Sequence, residues 1–443
     1  MRRWLAGALV VFAPALASAQ PGAALDEPVP APTEPAPLVA PPAVITPSAK
    51  PAPVEDVDIS SLGLDPAPAD EHLNLFGFAD VSWRALLIPH SSLAANYFPK
   101  ENSFVVGNVN LYATKKLSRR WRSLLEVRFL YAPTTVNADG TFAASTAPDP
   151  ADLERPIQYG GISIERVYLE YEINESLTVQ AGSFLTPYGI WNVDHGSPAI
   201  IPVTRPYIIG ENLFPQQQTG IHLYGMHPFG AYQLKYDATL TNGRGPFQAV
   251  RDLDHNKAIG ARLELEAPWL DGVHLGISAY RGRFTDRPAD KIAVDASGNL
   301  INTTPAGTSY DELSWGADIL VHRGPLHVQA ELIGNDRHYL PGNRELARGG
   351  FSPDGRYVGA YGLVGYRLDR WWQVMPFAVF EVDRMRDNAE TGHDPVVYQT
   401  TLGLNFRPDP SVALKVGYTE AHISSPILDV RLRAFMTQAA WAF

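Results

Sequence analysis

The sequence predicts an all-β protein, a 16-stranded antiparallel transmembrane β-barrel with a disordered Pro/Ala-rich N-terminal arm. Three observations carry this. Apolar and polar residues alternate with period two in segment after segment from Leu73 to Phe443. The connections between these segments are short and long by turns. Charged residues make up 19% of the 443 positions, below the ~25% usual in soluble domains. Mean hydropathy is nevertheless only −0.12, and beyond the first twenty residues no apolar run reaches the ~20 residues a spanning helix needs. The absence of cysteine excludes disulfide scaffolds, thiolate metal sites and cysteine nucleophiles. The formal charge of −11 argues against nucleic-acid partners.

The N-terminus carries a targeting signal. Arg2 and Arg3 precede an apolar stretch from Trp4 to Leu16, and Ala17-Ser18-Ala19 forms a small-residue cleavage site. Residues 1–19 therefore read as a secretory signal peptide, too short to span a membrane. Residues 20–70 follow a different rule, with 13 Pro and no aromatic residue. Such a segment lacks the apolar surface to build a core, and its prolines favour extended polyproline II. It reads as a periplasmic linker, either a plain spacer or an arm that touches peptidoglycan.

From Leu73 the barrel begins. Sixteen strands are predicted at 73–85, 104–116, 121–131, 162–173, 177–186, 218–226, 231–241, 257–266, 273–281, 312–322, 326–333, 356–368, 372–383, 396–406, 412–420 and 428–443. In the fourth, Val167, Leu169, Tyr171 and Ile173 alternate with Arg166, Tyr168, Glu170 and Glu172. In the fifteenth, Val412, Leu414, Val416 and Tyr418 alternate with Lys415, Gly417 and Thr419. This is the dyad signature of a wall with lipid on one side and water on the other. Connections such as Asn174-Glu175-Ser176 have three to six residues, whereas the alternate ones, 187–217 among them, have seven to thirty-one. Short periplasmic turns alternating with long extracellular loops define an outer-membrane barrel. An even strand count places both chain ends on the periplasmic side. Trp83, Trp121, Trp269, Trp371, Trp372 and Trp441 lie near strand ends, where indoles form interfacial girdles. The last strand carries Phe435, Thr437, Ala439, Trp441 and Phe443 on one face and stops at an aromatic residue. In that it resembles the signal read by the barrel-assembly machinery, with Trp441 and Phe443 as its residues.

Taken together, these features resemble bacterial outer-membrane porins. Gly182-Ser183-Phe184-Leu185-Thr186-Pro187-Tyr188-Gly189 is similar to the G-x-F-x-x-P-[FY]-G stretch of the phosphate-selective porin O/P family, where it also leaves a strand for a long loop. The resemblance covers roughly 73–443. It implies a diffusion channel, often a homotrimer, in outer-membrane lipid and lipopolysaccharide, narrowed by an infolded third loop. Here that loop is 187–217, rich in Pro and carrying Trp191, Tyr207 and Phe214. It is expected to fold into the lumen, the alternative being an extracellular lid.

A sixteen-stranded barrel is wide enough for water, so its inner face should carry the polar half of each strand. Pore-lining candidates are Arg84, Arg122, Glu126, Arg128, Arg166, Glu170, Lys235, Asp237 and Arg262 on strands, with Asp194, His195 and Arg205 in the third loop. Acids outnumber bases among the inward positions, which implies a mild cation preference. Arg84, Arg128 and Arg166 are expected to face Glu170 and Asp194 across the eyelet and set up a transverse field. Phosphate specificity does not carry over, because the surrounding acids weaken any arginine ladder. Catalysis is not expected, since no G-x-S-x-G or H-E-x-x-H is present. No cofactor or metal is implied. The competing readings are a plugged barrel that tethers the outer membrane to the cell wall and, further off, a barrel hydrolase, for which Asp194-His195 is the first pair to examine.

Overall fold

The computed structural model describes residues 72–87, 102–130, 161–192, 196–210, 212–230, 232–245, 252, 254–266, 272–286, 291–294, 300–303, 308–340, 354–368, 373–387, 394, 396–425 and 428–443. The signal segment, the Pro-rich arm, Asp194, His195, Trp269, Trp371 and Trp372 lie outside them.

The strands are β1 (Asn74–Leu86), β2 (Ser103–Lys116), β3 (Trp121–Leu130), β4 (Gly161–Asn174), β5 (Leu177–Leu185), β6 (Gln217–Phe229), β7 (Tyr232–Thr241), β8 (Ala258–Glu266) and β9 (Val273–Asp286). After a hairpin, β10 (Lys291–Val294) and β11 (Leu300–Thr303), come β12 (Thr308–Arg323), β13 (Leu326–Tyr339), β14 (Gly355–Tyr366), β15 (Val374–Asp387), β16 (Val396–Asp409), β17 (Val412–Ser425) and β18 (Leu428–Ala442). All but β10 and β11 form one closed antiparallel barrel, each strand paired with its sequence neighbours and β1 with β18. All sixteen predicted strands are present. The β10–β11 hairpin was not foreseen; Ser297-Gly298-Asn299 between two β-branched tetrapeptides was the available signal.

Closure follows from the solvent. Hydrocarbon offers no partner to a free strand edge, so the sheet must meet itself. At the seam Ala79 faces Trp441, and beyond the last strand residue Gly77 N–H donates to Phe443 O (2.7 Å) while Phe443 N–H donates back to Gly77 O (2.9 Å). The terminal aromatic residue is thus part of the closing ladder.

The alternation sorts the two faces as expected. On β17, Leu414 and Val416 are exposed outward, whereas Ala413, Lys415, Thr419 and Ala421 are buried inward. Exposed apolar side chains such as Leu263, Ile277, Leu313, Phe380 and Leu402 cover the outside, as lipid contact requires. Trp121 stacks near Tyr171 (4.6 Å) and Trp441 is exposed, both at the end of the short turns; Trp83 meets Phe435 (6.0 Å) towards the opposite end. A bulge between Glu126 and Val127, facing Arg166 and Ile164, turns both Glu165 and Arg166 inward.

One sector breaks the polar-inside rule. Leu363 on β14 and Phe377 and Val379 on β15 point inward and are buried in an apolar cluster with Ile333, Tyr357 and Tyr361. Their cover comes from the segment after β5: Ile208 and Ile209 of α1 (Tyr207–Gly210), with Leu213 and Phe214. An apolar inner wall is stable because other apolar groups, not water, touch it.

Candidate functional site

The segment between β5 and β6 defines the interior. Its base is closed by Thr186 N–H donating to Gln216 O (3.0 Å) and by the Thr186 hydroxyl, which bonds Pro215 O. From there it touches inward-facing groups on strands around the wall. Tyr188 shares a bond with Thr239 on β7 (2.6 Å), Gly189 N–H reaches Ser278 on β9 (3.2 Å), and the Trp191 indole donates to Tyr361 on β14 (2.6 Å). Ser197 bonds Asp80 on β1, and Asn108 on β2 donates to Ser197 (2.9 Å). Asn405 donates to Ile201 O (2.9 Å), Arg407 to Pro198 O (2.5 Å), and Lys415 to Ser197 O (2.6 Å) and Pro202 O (3.2 Å). Tyr207 N–H bonds Glu381. Ser314 and Asn335 both donate to Leu213 O, at 2.6 and 3.2 Å.

The octapeptide now has a physical account. Gly182 has φ 142°, and a Cβ there would lie 2.2 Å from Val167 O on the neighbouring strand. Gly189 has φ 71°, and its Cβ would lie 2.2 Å from a Glu331 carboxylate oxygen. Phe184 and Tyr188 are both 1% exposed. Gly182→Ala should therefore destabilise the barrel by about 2 kcal/mol or more through backbone strain and the clash with β4. A lower melting temperature for loss of heat-modifiable migration checks this; an unshifted melt would contradict it.

The strand candidates fall into two clusters and one isolated residue. On β3 and β4, Arg166 binds the fully buried Glu126 (2.5 Å), which also accepts from Asn110 (2.6 Å); Arg122 binds Glu170, and Arg128 lies 3.4 Å from Glu165. On β7 and β8, Lys235 meets Glu264 (3.0 Å), and Arg262 reaches both Asp318 (2.5 Å) and Glu264 (3.2 Å). Asp237 pairs with His222 (2.8 Å). Arg84 stands apart on β1. The expected transverse arrangement differs from this: Glu170 lies on the same strand as Arg166 and is bonded to Arg122, so these charges pair within the wall instead of facing one another across the barrel. Cross-strand neighbours are simply closer than the far wall.

Sequence reasoning missed Glu165, because the bulge alters the parity, and also Arg244, Glu312, Arg337 and Arg407. Arg244 lies 2.9 Å from Glu312 and also donates to Leu213 O (2.9 Å). Arg337 stacks over Tyr357 (4.9 Å). These additions, three bases and two acids, leave the inward positions with an acidic excess.

Among the described residues, two of the cavities that border the segment are lined by charged side chains. One of about 450 Å³, on the side of the short turns, is lined by Trp191, Lys235, Asp237, Arg262, Glu264, His274, Asp318, His322, His327 and Arg407. The other, about 230 Å³, opens towards the long connections and is lined by Arg128, Glu165, Asn192, Arg205, Gln216, Gln217 and Arg244. Burial and the neighbouring Arg128 push the Arg205 guanidinium below its ordinary value, with Glu165 opposing. Both cavities mix the two signs of charge with amide groups, which is chemistry suited to hydrated polar solutes.

No family model matches the chain. A curated uncharacterized protein from Aquifex aeolicus (strain VF5) is 26% identical over 153 residues, 33% of this chain and 32% of that protein, so the match spans about a third of the relative's length. Among solved structures, a loop L8 deletion mutant of OmpT, an outer membrane protein of Vibrio cholerae, superposes with TM-score 0.50 at 10% identity, covering 84% of this chain and 100% of that one. Outer-membrane expressed OmpT of Vibrio cholerae gives 0.50 at 8% identity over 85% and 99%. An anion-selective porin from Comamonas acidovorans gives 0.48 at 10% identity over 84% and 99%. The likeness is one of fold.

Proposed function

We propose that this chain is an outer-membrane porin: a passive, water-filled channel for small hydrophilic solutes or ions, constricted by residues 187–217. The observation that carries this reading is the anchoring of that segment to inward-facing side chains of β1, β2, β7, β9 and β12–β17, with a cavity lined by charged side chains on either side. The paired charges favour weak selectivity between ions. The octapeptide aligns the chain with the phosphate-selective porin O/P family, but mixed linings argue against phosphate specificity. A homotrimer, delivery by the barrel-assembly machinery through Trp441 and Phe443, and contact of the N-terminal arm with peptidoglycan belong to the same proposal.

Purified protein in planar lipid bilayers should show stable steps of open current, with reversal potentials in a salt gradient close to zero. A silent bilayer with demonstrably folded protein would overturn the channel reading. It would favour a plugged structural barrel, to which the buried apolar cluster of Trp191, Ile208, Leu213 and Phe214 also lends support. We propose no catalytic role; turnover of lipid or ester substrates by the same preparation would contradict that.

A further inference from the structure

A second departure from the polar interior lies at the mouth on the side of the short turns. On β1 the inward parity of Asp80 and Ser82 runs on to Phe78 and Phe76. Phe76 stacks on Tyr112, its partner on β2, with 4.8 Å between ring centroids. These rings, with Pro198 and Ala199, line a cavity of about 260 Å³ that offers one side-chain hydroxyl beyond the Tyr112 phenol, that of Ser411, and no charged side chain. It is smaller than the ~300–1,000 Å³ of ordinary ligand pockets and suits a short run of small apolar residues. The β2–β3 turn beside it is basic: Lys115, Lys116, Arg119 and Arg120 follow Tyr112 within eight residues. Glu172, whose N–H bonds Arg120 O (2.9 Å), offsets part of this charge. Lys115, Lys116 and Arg119 form no ion pair with a described residue. Residues 20–71 lead into β1, the strand that supplies Phe76 and Phe78, and carry nine acids against Lys50 alone.

We propose that this pocket is filled by the chain's own arm, with Pro51-Ala52-Pro53 against Phe76, Phe78 and Tyr112 and with Glu55, Asp56 and Asp58 on the basic turn. Proline segments dock on aromatic-lined grooves because polyproline II is already extended and loses little entropy on binding. The spacing agrees. From Pro53 to Asp58 polyproline II advances roughly 15 Å, and from Tyr112 to Lys116 β2 advances roughly 13 Å. The fifteen residues 59–73 then lead back to Asn74, which pairs with Thr114 beside the same turn. Pro66-Ala67-Pro68 also precedes two acids, Asp70 and Glu71, but lies too close to Asn74 to turn back. Pro35-Ala36-Pro37 has the reach but is followed by no acid before Lys50. A tethered ligand meets its site at an effective concentration on the order of millimolar, so a modest contact suffices. The docking rests neither on conduction nor on any solute, and it leaves residues 20–50 for contact with the cell wall.

The chain has no cysteine, so an introduced pair reports alone. A disulfide forms only where the two Cα atoms come within about 7 Å. The test compares Ala52→Cys/Ala199→Cys with Ala36→Cys/Ala199→Cys in the full, folded protein under a mild oxidant. A plain spacer differs little between the two. Loop closure falls roughly as the −3/2 power of length, which gives about two-fold between loops of 22 and 38 residues to Asn74. A docked arm should crosslink from position 52 about ten-fold faster than from position 36. Adding Pro51→Ser/Pro53→Ser should bring that ratio down to about two-fold, and these changes lie outside the barrel, so they leave its fold intact. Glu55→Gln/Asp56→Asn/Asp58→Asn should slow the crosslink about three-fold, and high salt should do the same to the unaltered acids. A two-fold ratio at the outset would overturn the docking, and so would a ratio that survives the serine substitutions. Mixing Ala52→Cys and Ala199→Cys chains that carry different tags tests for a second copy; a crosslink that forms as fast between chains as within one would also overturn it. The crosslink is read on a gel and not as current, so failure here is distinct from failure of the channel.

Discussion

Replacing residues 188–214 by a four-residue Gly/Ser turn is expected to raise single-channel conductance on the order of two- to five-fold. The base of the segment survives this change, because Thr186 and Gln216 still pair and Leu185 still faces Gln217 across β5 and β6. What is removed is the material between the two cavities. A sixteen-stranded barrel without it has an interior wide enough for water throughout. The change has a cost: Tyr357, Tyr361, Leu363, Phe377 and Val379 lose the apolar cover of Ile208, Leu213 and Phe214. Thermal stability should therefore fall while current rises. Conductance equal to that of the unaltered protein would show that the segment does not limit flow.

Lys415→Met should have the largest effect of any single substitution on how the segment is held. Lys415 is 1% exposed, and its ammonium nitrogen donates to the carbonyls of both Ser197 and Pro202. Methionine fills similar volume but donates nothing. Two carbonyls then lose a donor, and leaving a buried polar group unsatisfied costs about 1–3 kcal/mol each. We expect a loss of about 2–4 kcal/mol in unfolding experiments, together with noisier open-channel current as residues 197–202 loosen. Lys415→Arg should recover part of both. A quiet channel of unaltered stability in the methionine variant would show that Asp80, Asn405 and Arg407 hold the segment without it.

The barrel was legible in the sequence because lipid enforces a strict rule on one face. Val412, Leu414, Val416 and Tyr418 had to be apolar, and the parity they set placed Lys415 inside without further information. The sorted connection lengths carried the topology. The interior obeys no such rule. Nothing in the alternation of β15 distinguishes Phe377 and Val379 from lipid-facing residues; only the arrival of Ile208 and Leu213 from a distant segment makes an apolar inner wall stable. Charge pairing was equally hidden. Glu126 and Arg166 are partners because of a strand register and a bulge, and neither can be read from residue types. The octapeptide was visible as a pattern, yet its glycines are explained by Val167 O and a Glu331 carboxylate, one a strand away and the other far along the chain.

The bond from Ser197 to Asp80 on β1 and the bond from Lys415 on β17 to Ser197 meet on either side of β18, the strand that joins the two ends of the sheet. That places the contact among the most non-local in the molecule. Loop-closure entropy must be met for nearly the whole barrel before it can form, so it belongs to the slow end of folding. An incompletely zipped sheet has no complete seat for residues 197–202. The seat of residues 197–202 and the closed seam are therefore completed together.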